Sequence, residues 1–316
     1  MKNHIQDALL PPKLKAGDRV VFVSPASPVS EQRVESAANV LRTLGLTVEY
    51  GKHVYDMDGT LDYLAGRDED RMADINDALR DPGIKAIIAT RGGKGAYRIA
   101  DGLDFEAARK HPKLLIGFSE TTILHMALLK KCGLVGIHGA PWDESFGKET
   151  AESFVKAATT TDPITIRATT NEPTHVLTTS GRAEGVLIGG NQDSIATGAG
   201  WMLPKFDEAI LLVEATNLRL GHIDRQLTML IKTGIIQNIA GVAIGQYTEC
   251  GSATDPTTDV RCTEIDILRD RFGRLGVPIL GGLPIGHGKH PIAVPIGTKT
   301  ILDADTGTVT VAAGVR

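Results

Sequence analysis

Aromatic residues are scarce in this chain, at 4% of 316 positions, and only two are tryptophan. That weakens any reading built on base stacking. A formal net charge of -4 leaves no basic field to attract nucleic acid or an anionic membrane surface. Cysteine is equally sparse. Cys132, Cys250 and Cys262 are far apart and odd in number, which fits a reducing compartment better than a disulfide framework. None forms a Cys-x-x-Cys pair, which argues against a zinc–thiolate site. No stretch offers ~18 uncharged apolar residues, so no membrane span is expected. The opening MKNHIQDALLPPKLKAGDRV puts Asp7 and two prolines where a signal peptide needs an apolar core. The expected setting is the cytoplasm.

What is present is ordinary globular material, 42% hydrophobic and 23% charged, long enough for two domains of common size. The first half alternates short apolar runs with amphipathic ones. Val20–Val23 reads as a buried strand. Val34, Ala37, Ala38, Leu41 and Leu44 recur at helical spacing before Gly45. Thr47–Tyr50 resumes strand character. Met72, Ile75 and Leu79 mark a helix over roughly Asp68–Arg80, stopped by Asp81-Pro-Gly83. The strands Ala86–Ala89 and Leu114–Ile116 follow, the second leading into a helix after Ser119. This alternation predicts an α/β fold, a parallel sheet with helices on both faces. From about residue 150 to 180 the chain is threonine-rich and shows no helical period. Beyond it come apolar strands at Ala209–Val213 and Gly241–Ile244, and a closing hairpin of Lys299–Leu302 with Thr308–Val311 around Asp305-Thr-Gly307. The expected division is an N-terminal α/β domain over 1–160, a linker with first strands over 161–180, and a second domain over 181–316.

Three loops leave the carboxyl ends of the first strands, where open parallel sheets hold ligands: Ser24–Pro28, Arg91–Gly95 and Gly117–Glu120. Ser119 stands at a strand-to-helix turn like a nucleophile elbow, although Thr121 occupies the place of the second glycine in Gly-x-Ser-x-Gly. A helix-capping hydroxyl explains the same serine. The run RGGKG lacks the Gly-Lys-Ser/Thr ending of a phosphate loop, and Arg98 stands where a dinucleotide fingerprint has its last glycine. Gly92-Gly93 suits either a plain turn or backbone N–H groups brought close to an oxyanion. Glu214 ends the strand AILLVEA, either as a surface carboxylate or as the partner of an imidazole. His287, between Gly286 and Gly288, is free of bulky neighbours. His287 and His290 as metal ligands would lack an obvious third. Ser119, Glu214 and His287 together supply nucleophile, carboxylate and base, the types that serine catalysis requires.

Over nearly its whole length the chain resembles the serine LD-carboxypeptidases, which include muramoyltetrapeptide carboxypeptidases and microcin immunity peptidases. The resemblance is carried by PPKLKAGDRVVFVSPASPV, YLAGRDEDRMADINDALRDPGIKAIIATRGGKGAYRI and KLLIGFSETTILHMALLKKCGLVGIHG. It resumes at GVLIGGN, LLVEATNLRLGHIDRQLTML and GLPIGHGKHPIAVPIG. It implies a Rossmann-like N-terminal domain bearing Ser119 and a β-rich α+β C-terminal domain bearing Glu214 and His287, with the site in the cleft between them. It further implies oxyanion donors at the backbone N–H groups of Gly92, Gly93 and Glu120, no metal or nucleotide cofactor, a homodimer, and removal of D-alanine from muropeptide stems. Arg91, Lys94, Asn191 and Arg225 are candidates for holding the substrate.

Three departures from the family pattern stand out. Glu120 replaces the usual aspartate, Lys94 replaces the tyrosine of Arg-Gly-Gly-Tyr-Gly, and Gln192-Asp193 replaces leucine and serine. An immunity-type peptidase cutting an aminoacyl- or peptidyl-nucleotide amide is the neighbouring reading, with Trp142 or Trp201 as the platform for adenine. A non-enzymatic two-domain binding protein would use the same cleft, and a nucleotide-binding α/β protein is a third class.

Overall fold

The computed structural model describes residues 8–140, 147–251 and 261–316. The N-terminal half runs β1 (Arg19–Val23), α1 (Glu31–Thr43), β2 (Thr47–Tyr50), α2 (Asp68–Arg80) and β3 (Ile84–Ala89). It continues with α3 (Phe105–Lys110), β4 (Leu114–Gly117), α4 (Thr122–Cys132), β5 (Gly136–His138) and α5 (Lys148–Thr159). The C-terminal half opens with β6 (Ile164–Arg167), β7 (Arg182–Asn191), α6 (Gln192–Gly198), β8 (Ile210–Thr216) and α7 (Leu220–Lys232). It ends with β9 (Gly241–Thr248), α8 (Glu264–Phe272), β10 (Ile279–Leu280), β11 (Val294–Ile296), β12 (Lys299–Asp303) and β13 (Thr308–Val311).

Among the described residues the strands form two sheets, ordered β11-β5-β4-β3-β1-β2 and β10-β9-β8-β7-β12-β13-β6. The first sheet is parallel from β5 to β2. Its side chains alternate between two cores, as the period of two demands. Val20 and Phe22 of β1 join Val34, Ala38 and Leu41 of α1 and Phe154 of α5. Val21 and Val23 face the other way, onto Ile75 and Leu79 of α2 and Ile123, Leu124 and Leu128 of α4. Helices therefore cover both faces, as the alternating pattern predicts.

Two features differ from the sequence reading. Helix α5 extends to Thr159 with Thr150, Phe154, Ala157 and Ala158 buried, so the change of character comes later than residue 150. The threonines that mask this helix lie at its end. The second difference is β11, which lies late in the chain but pairs antiparallel with β5 in the first sheet, Val294 opposite His138. A three-residue strand containing Pro295 gives no readable alternation, yet it covers an edge that would otherwise expose unpaired backbone groups.

In the second sheet β7, β8, β9 and β10 are parallel, whereas β12, β13 and β6 add antiparallel strands. The expected closing hairpin is β12–β13. The core is continuous between the halves, since Leu187, Leu212 and Ile244 belong to the same apolar cluster as Val20 and Ile116. The strand ends that carry Ser119 and Glu214 are thus held by one packed interior. No helix among the described residues is long and apolar enough to cross a membrane.

Candidate active site

Ser119 stands two residues beyond β4, after Phe118, and begins the short 3-10 turn Ser119–Thr121 that leads into α4. Its φ is +60°, the left-handed region that L-residues enter at a cost of roughly 1–2 kcal/mol. A helix cap takes extended backbone and needs no such strain. Ser119 makes no side-chain cap here; Phe118, with extended backbone, precedes the turn. The hydroxyl is lifted into a cleft of about 400 Å3, which Gly92, Gly93, Lys94, Asn191, Asp193, Asn217 and His287 also line.

The glycine loop comes within contact of the serine. A Cβ at Gly92 would stand 2.6 Å from Ser119 Oγ and 3.0 Å from the Glu120 nitrogen. Only glycine lets this backbone approach so closely. The loop is tied down on several sides. Ser27 N–H donates to the Gly92 carbonyl at 3.3 Å, and Ser27 Oγ accepts from Lys94 N–H at 3.0 Å. The Gly95-Ala96 peptide is gripped at both ends, its carbonyl by Arg71 Nη1 at 3.0 Å and its N–H by Glu120 Oε2 at 3.0 Å. Glu120 therefore does with its side chain what its sequence position alone does not reveal: it binds the glycine loop to the serine turn.

Glu120 is 6% exposed, and burial pushes its carboxyl up to about 7, against the Ala96 and Gly95 N–H groups and Lys94 that pull it down. A carboxyl raised in the folded state contributes stability that is full below its ordinary value of 4.5 and is lost as pH rises through about 7. Glu120→Gln keeps an acceptor oxygen but does not titrate. Its stability relative to the parent should therefore grow between those pH values, by up to about 3 kcal/mol. Urea denaturation of both proteins on either side of this window checks the sign, and a pH-independent difference would contradict it.

Glu214 lies in β8 and is wholly buried, not at the surface. Across it the β8–β9 register slips, from Val213 opposite Ile244 to Ala215 opposite Tyr247, so two steps on β8 face three on β9. Such an irregularity re-aims a side chain. Glu214 Oε2 accepts from His287 Nδ1 at 2.7 Å, 73 residues away. Gly286, at φ +130°, precedes this histidine, and a Cβ there would meet Glu214 Oε2 at 2.8 Å. Burial alone lowers the His287 pKa, but the charge of Glu214 and the hydrogen bond outweigh it and leave the imidazole above its ordinary 6.5. For Glu214 burial acts upward, while His287, His138 and Asn191 together bring it below 4.5. The pair has the electrostatics of a base with its orienting anion.

Lys94 and Asp193, singled out separately as departures, form one ion pair across the cleft. Gln226 Nε2 donates to the other Asp193 oxygen at 2.6 Å. Asn191 ends β7, in register with Glu214, and caps α6 by accepting from Ser194 N–H at 3.3 Å. Arg91 lines the cleft and donates to the Pro28 carbonyl at 3.3 Å. Arg225 is not brought to the cleft. It is exposed on α7, whose buried face is Ile223, Leu227 and Leu230. His290 lines a different cavity from His287. Trp142 lies outside the described residues. Trp201 is not among the cleft residues, and its Nε1 donates to Thr197 in its own segment at 2.7 Å.

Three residues of the site were missed by sequence reasoning: Asp193 as a partner of Lys94, Asn217 at φ +54° in the cleft wall, and His138 beside Glu214. The Asn217 position was discoverable, since asparagine after a strand tolerates that backbone.

Family profiles decide the affiliation. That of the LD-carboxypeptidase N-terminal domain matches residues 20–139, and that of the C-terminal domain matches 184–302. The chain belongs to the LD-carboxypeptidase family. As a member of it, the protein is a peptide-bond hydrolase. A Streptomyces coelicolor protein assigned as a carboxypeptidase is 37% identical to it, covering 97% of each chain. A Bacillus subtilis protein assigned as a murein peptide carboxypeptidase is 33% identical over 96% of this chain and 95% of its own. The solved muramoyltetrapeptide carboxypeptidase of Oxalobacter formigenes superposes with a TM-score of 0.78 at 26% identity, covering 93% of this chain and 97% of that one. The two-domain LD-carboxypeptidase fold thus accounts for both sheets of this LD-carboxypeptidase relative.

Proposed function

We propose that the protein is a serine LD-carboxypeptidase that releases the terminal D-alanine of a muropeptide stem tetrapeptide. The observation that carries this reading is the buried Glu214–His287 hydrogen bond of 2.7 Å opening onto the cleft where Ser119 is held at φ +60°. His287 takes the Ser119 proton as the oxygen attacks the scissile carbonyl. The N–H groups of Glu120 and the Gly92-Gly93 turn stabilise the oxyanion, at about 3 kcal/mol for each donor in comparable sites. The imidazolium then protonates the departing amine of D-alanine, leaving the acyl group on Ser119. Water, deprotonated by the same imidazole, attacks that ester and regenerates the hydroxyl. Glu214 holds the Nδ1–H tautomer and offsets the charge that appears on the ring. No step needs a metal or a nucleotide. Lys94, Arg91 and Asn191 are the residues we assign to holding the substrate.

The murein-peptide assignment of a relative 33% identical supports the substrate class. The reading also includes peptidoglycan recycling in the cytoplasm by a homodimer, with sedimentation equilibrium as the check on assembly. Cleavage of an aminoacyl-nucleotide amide gains nothing from Trp201, which lies outside the cleft. Incubating the protein with a stem tetrapeptide and, separately, with an aminoacyl-sulfamoyl-adenosine tests the choice. D-Alanine release from the first and no release of sulfamoyl-adenosine from the second is the expected pattern; the reverse would sink the reading.

The base must be neutral to act, so kcat/KM should rise with pH through the raised His287 pKa. The acid limb is expected above 6.5, the ordinary imidazole value. A limb centred well below that would mean Glu214 does not support the base.

A further inference from the structure

Glu214 has no exposed surface, and an anion in such a place needs donors for both its oxygens. His287 serves Oε2, but among the described residues Oε1 has no hydrogen-bond partner. His138 faces Oε1, its Nε2 3.8 Å away, and the Asn191 side chain also acts on the carboxylate. His138 is 1% exposed, and among the described residues neither of its ring nitrogens has a hydrogen-bond partner. The two side chains come from different sheets. His138 ends β5, opposite Gly117 of β4, while Glu214 belongs to β8. Two unsatisfied groups therefore meet behind the site, one from each half of the molecule.

A neutral imidazole carries one N–H, on either nitrogen. On the Nδ1 side, a side chain at Gly190 would stand 2.9 Å away, and no acceptor is bonded there. On the Nε2 side is a carboxylate oxygen. A proton on Nε2 satisfies both orphans together, through closure of less than about 1 Å or through one bridging water.

We propose that His138 is a positioning residue: as the neutral Nε2–H tautomer it donates toward Glu214 Oε1 and fixes the carboxylate that orients His287. Its kinetic consequence rests on the reaction proposed above, whereas the tautomer does not. The groups around it are Glu214 on β8, His287 in the loop before β11, His125 on α4 and Asn191 on β7, whose amide also favours the Glu214 anion. Burial brings His138 down to about 4, with Glu214 opposing and His287 reinforcing the shift, and His125 is lowered to about 3. Phe118 packs against both imidazoles, with ring centroids 6.2 Å from His138 and 4.8 Å from His287.

Without the His138 donor the carboxylate becomes more basic and holds His287 Nδ1–H more tightly. The His287 pKa then rises, and the acid limb of kcat/KM moves to higher pH. The test uses the full-length protein with His138→Phe, which fills the space without donating, and His138→Gln, which restores a donor. In the parent, 15N NMR should show His138 as the neutral Nε2–H tautomer from about pH 5 to 8. In H138F, kcat should fall roughly tenfold with KM little changed, and the acid limb should shift upward. H138Q should recover most of kcat. An Nδ1–H tautomer, or an H138F profile that keeps its pH dependence despite lost activity, would overturn the proposal. A parent that releases no D-alanine would defeat the proposed reaction, and the tautomer would still decide the role of His138.

Discussion

Ser119→Ala should reduce D-alanine release by at least ~10⁴-fold while peptide binding persists. The hydroxyl is the only group the substitution removes, and the cleft residues that surround it stay in place. Loss of turnover with retained affinity separates a hydrolase from a protein that merely closes on a ligand. Ser119→Gly sharpens the test. Both variants lack the nucleophile, but alanine keeps the left-handed strain at φ +60° whereas glycine relieves it. Glycine also gains freedom in the unfolded chain, which offsets part of that relief. The glycine variant should therefore exceed the alanine variant in stability by roughly 0.5–1 kcal/mol. Paired thermal melts measure it. Turnover surviving in S119A, or alanine proving the more stable, would mean the serine is not the strained nucleophile described here.

Gly92→Ala is expected to disable catalysis although it replaces none of the three residues proposed as the triad. Its new Cβ would lie 2.6 Å from both Cβ and Oγ of Ser119 and 3.0 Å from the Glu120 nitrogen. These are backbone or near-backbone atoms, held by β4 and the turn, so they do not yield as a flexible side chain would. The glycine loop must move instead, and with it the N–H groups proposed as oxyanion donors. A loss of about 10²–10³ in kcat follows from misplacing one such donor, with a smaller effect on KM. Overpacking should also cost about 1–3 kcal/mol of stability. Steady-state kinetics combined with urea denaturation separates the two effects. A variant with normal kcat would show that the Gly92 main chain plays no part in the chemistry.

Much of the first sheet was legible because its physics is local. The continuous apolar runs Val20–Val23 and Ala86–Ala89, and the helical spacing of Met72, Ile75 and Leu79, became β1, β3 and α2 with few changes. Arg225 is a substrate candidate in the sequence reading, although helical spacing puts it on the face opposite Ile223, Leu227 and Leu230. Pairings between distant residues were not legible. Glu214 and His287 are 73 positions apart, and Lys94 and Asp193 are 99 apart. Neither pair leaves a periodic trace, so residue type grouped the first only as one option among several, the family resemblance singled it out, and nothing joined the second. The backbone angle of Ser119 and the burial of Glu214 are products of tertiary packing. They set Ser119 apart from an ordinary helix cap and Glu214 from a surface carboxylate, and they arise only once both sheets are assembled. His138 was invisible for the same reason: a histidine ending a three-residue strand acquires meaning from the carboxylate that the other sheet brings to it.

The claim on which the rest depends is that Ser119 is the nucleophile served by His287. Treating the native protein with a serine-reactive phosphonate and mapping the adduct by peptide mass spectrometry tests this directly. The account predicts one adduct, on Ser119, formed with loss of D-alanine release and strongly slowed in His287→Ala. An adduct on any other residue, or labelling of Ser119 at an unchanged rate without His287, would contradict it.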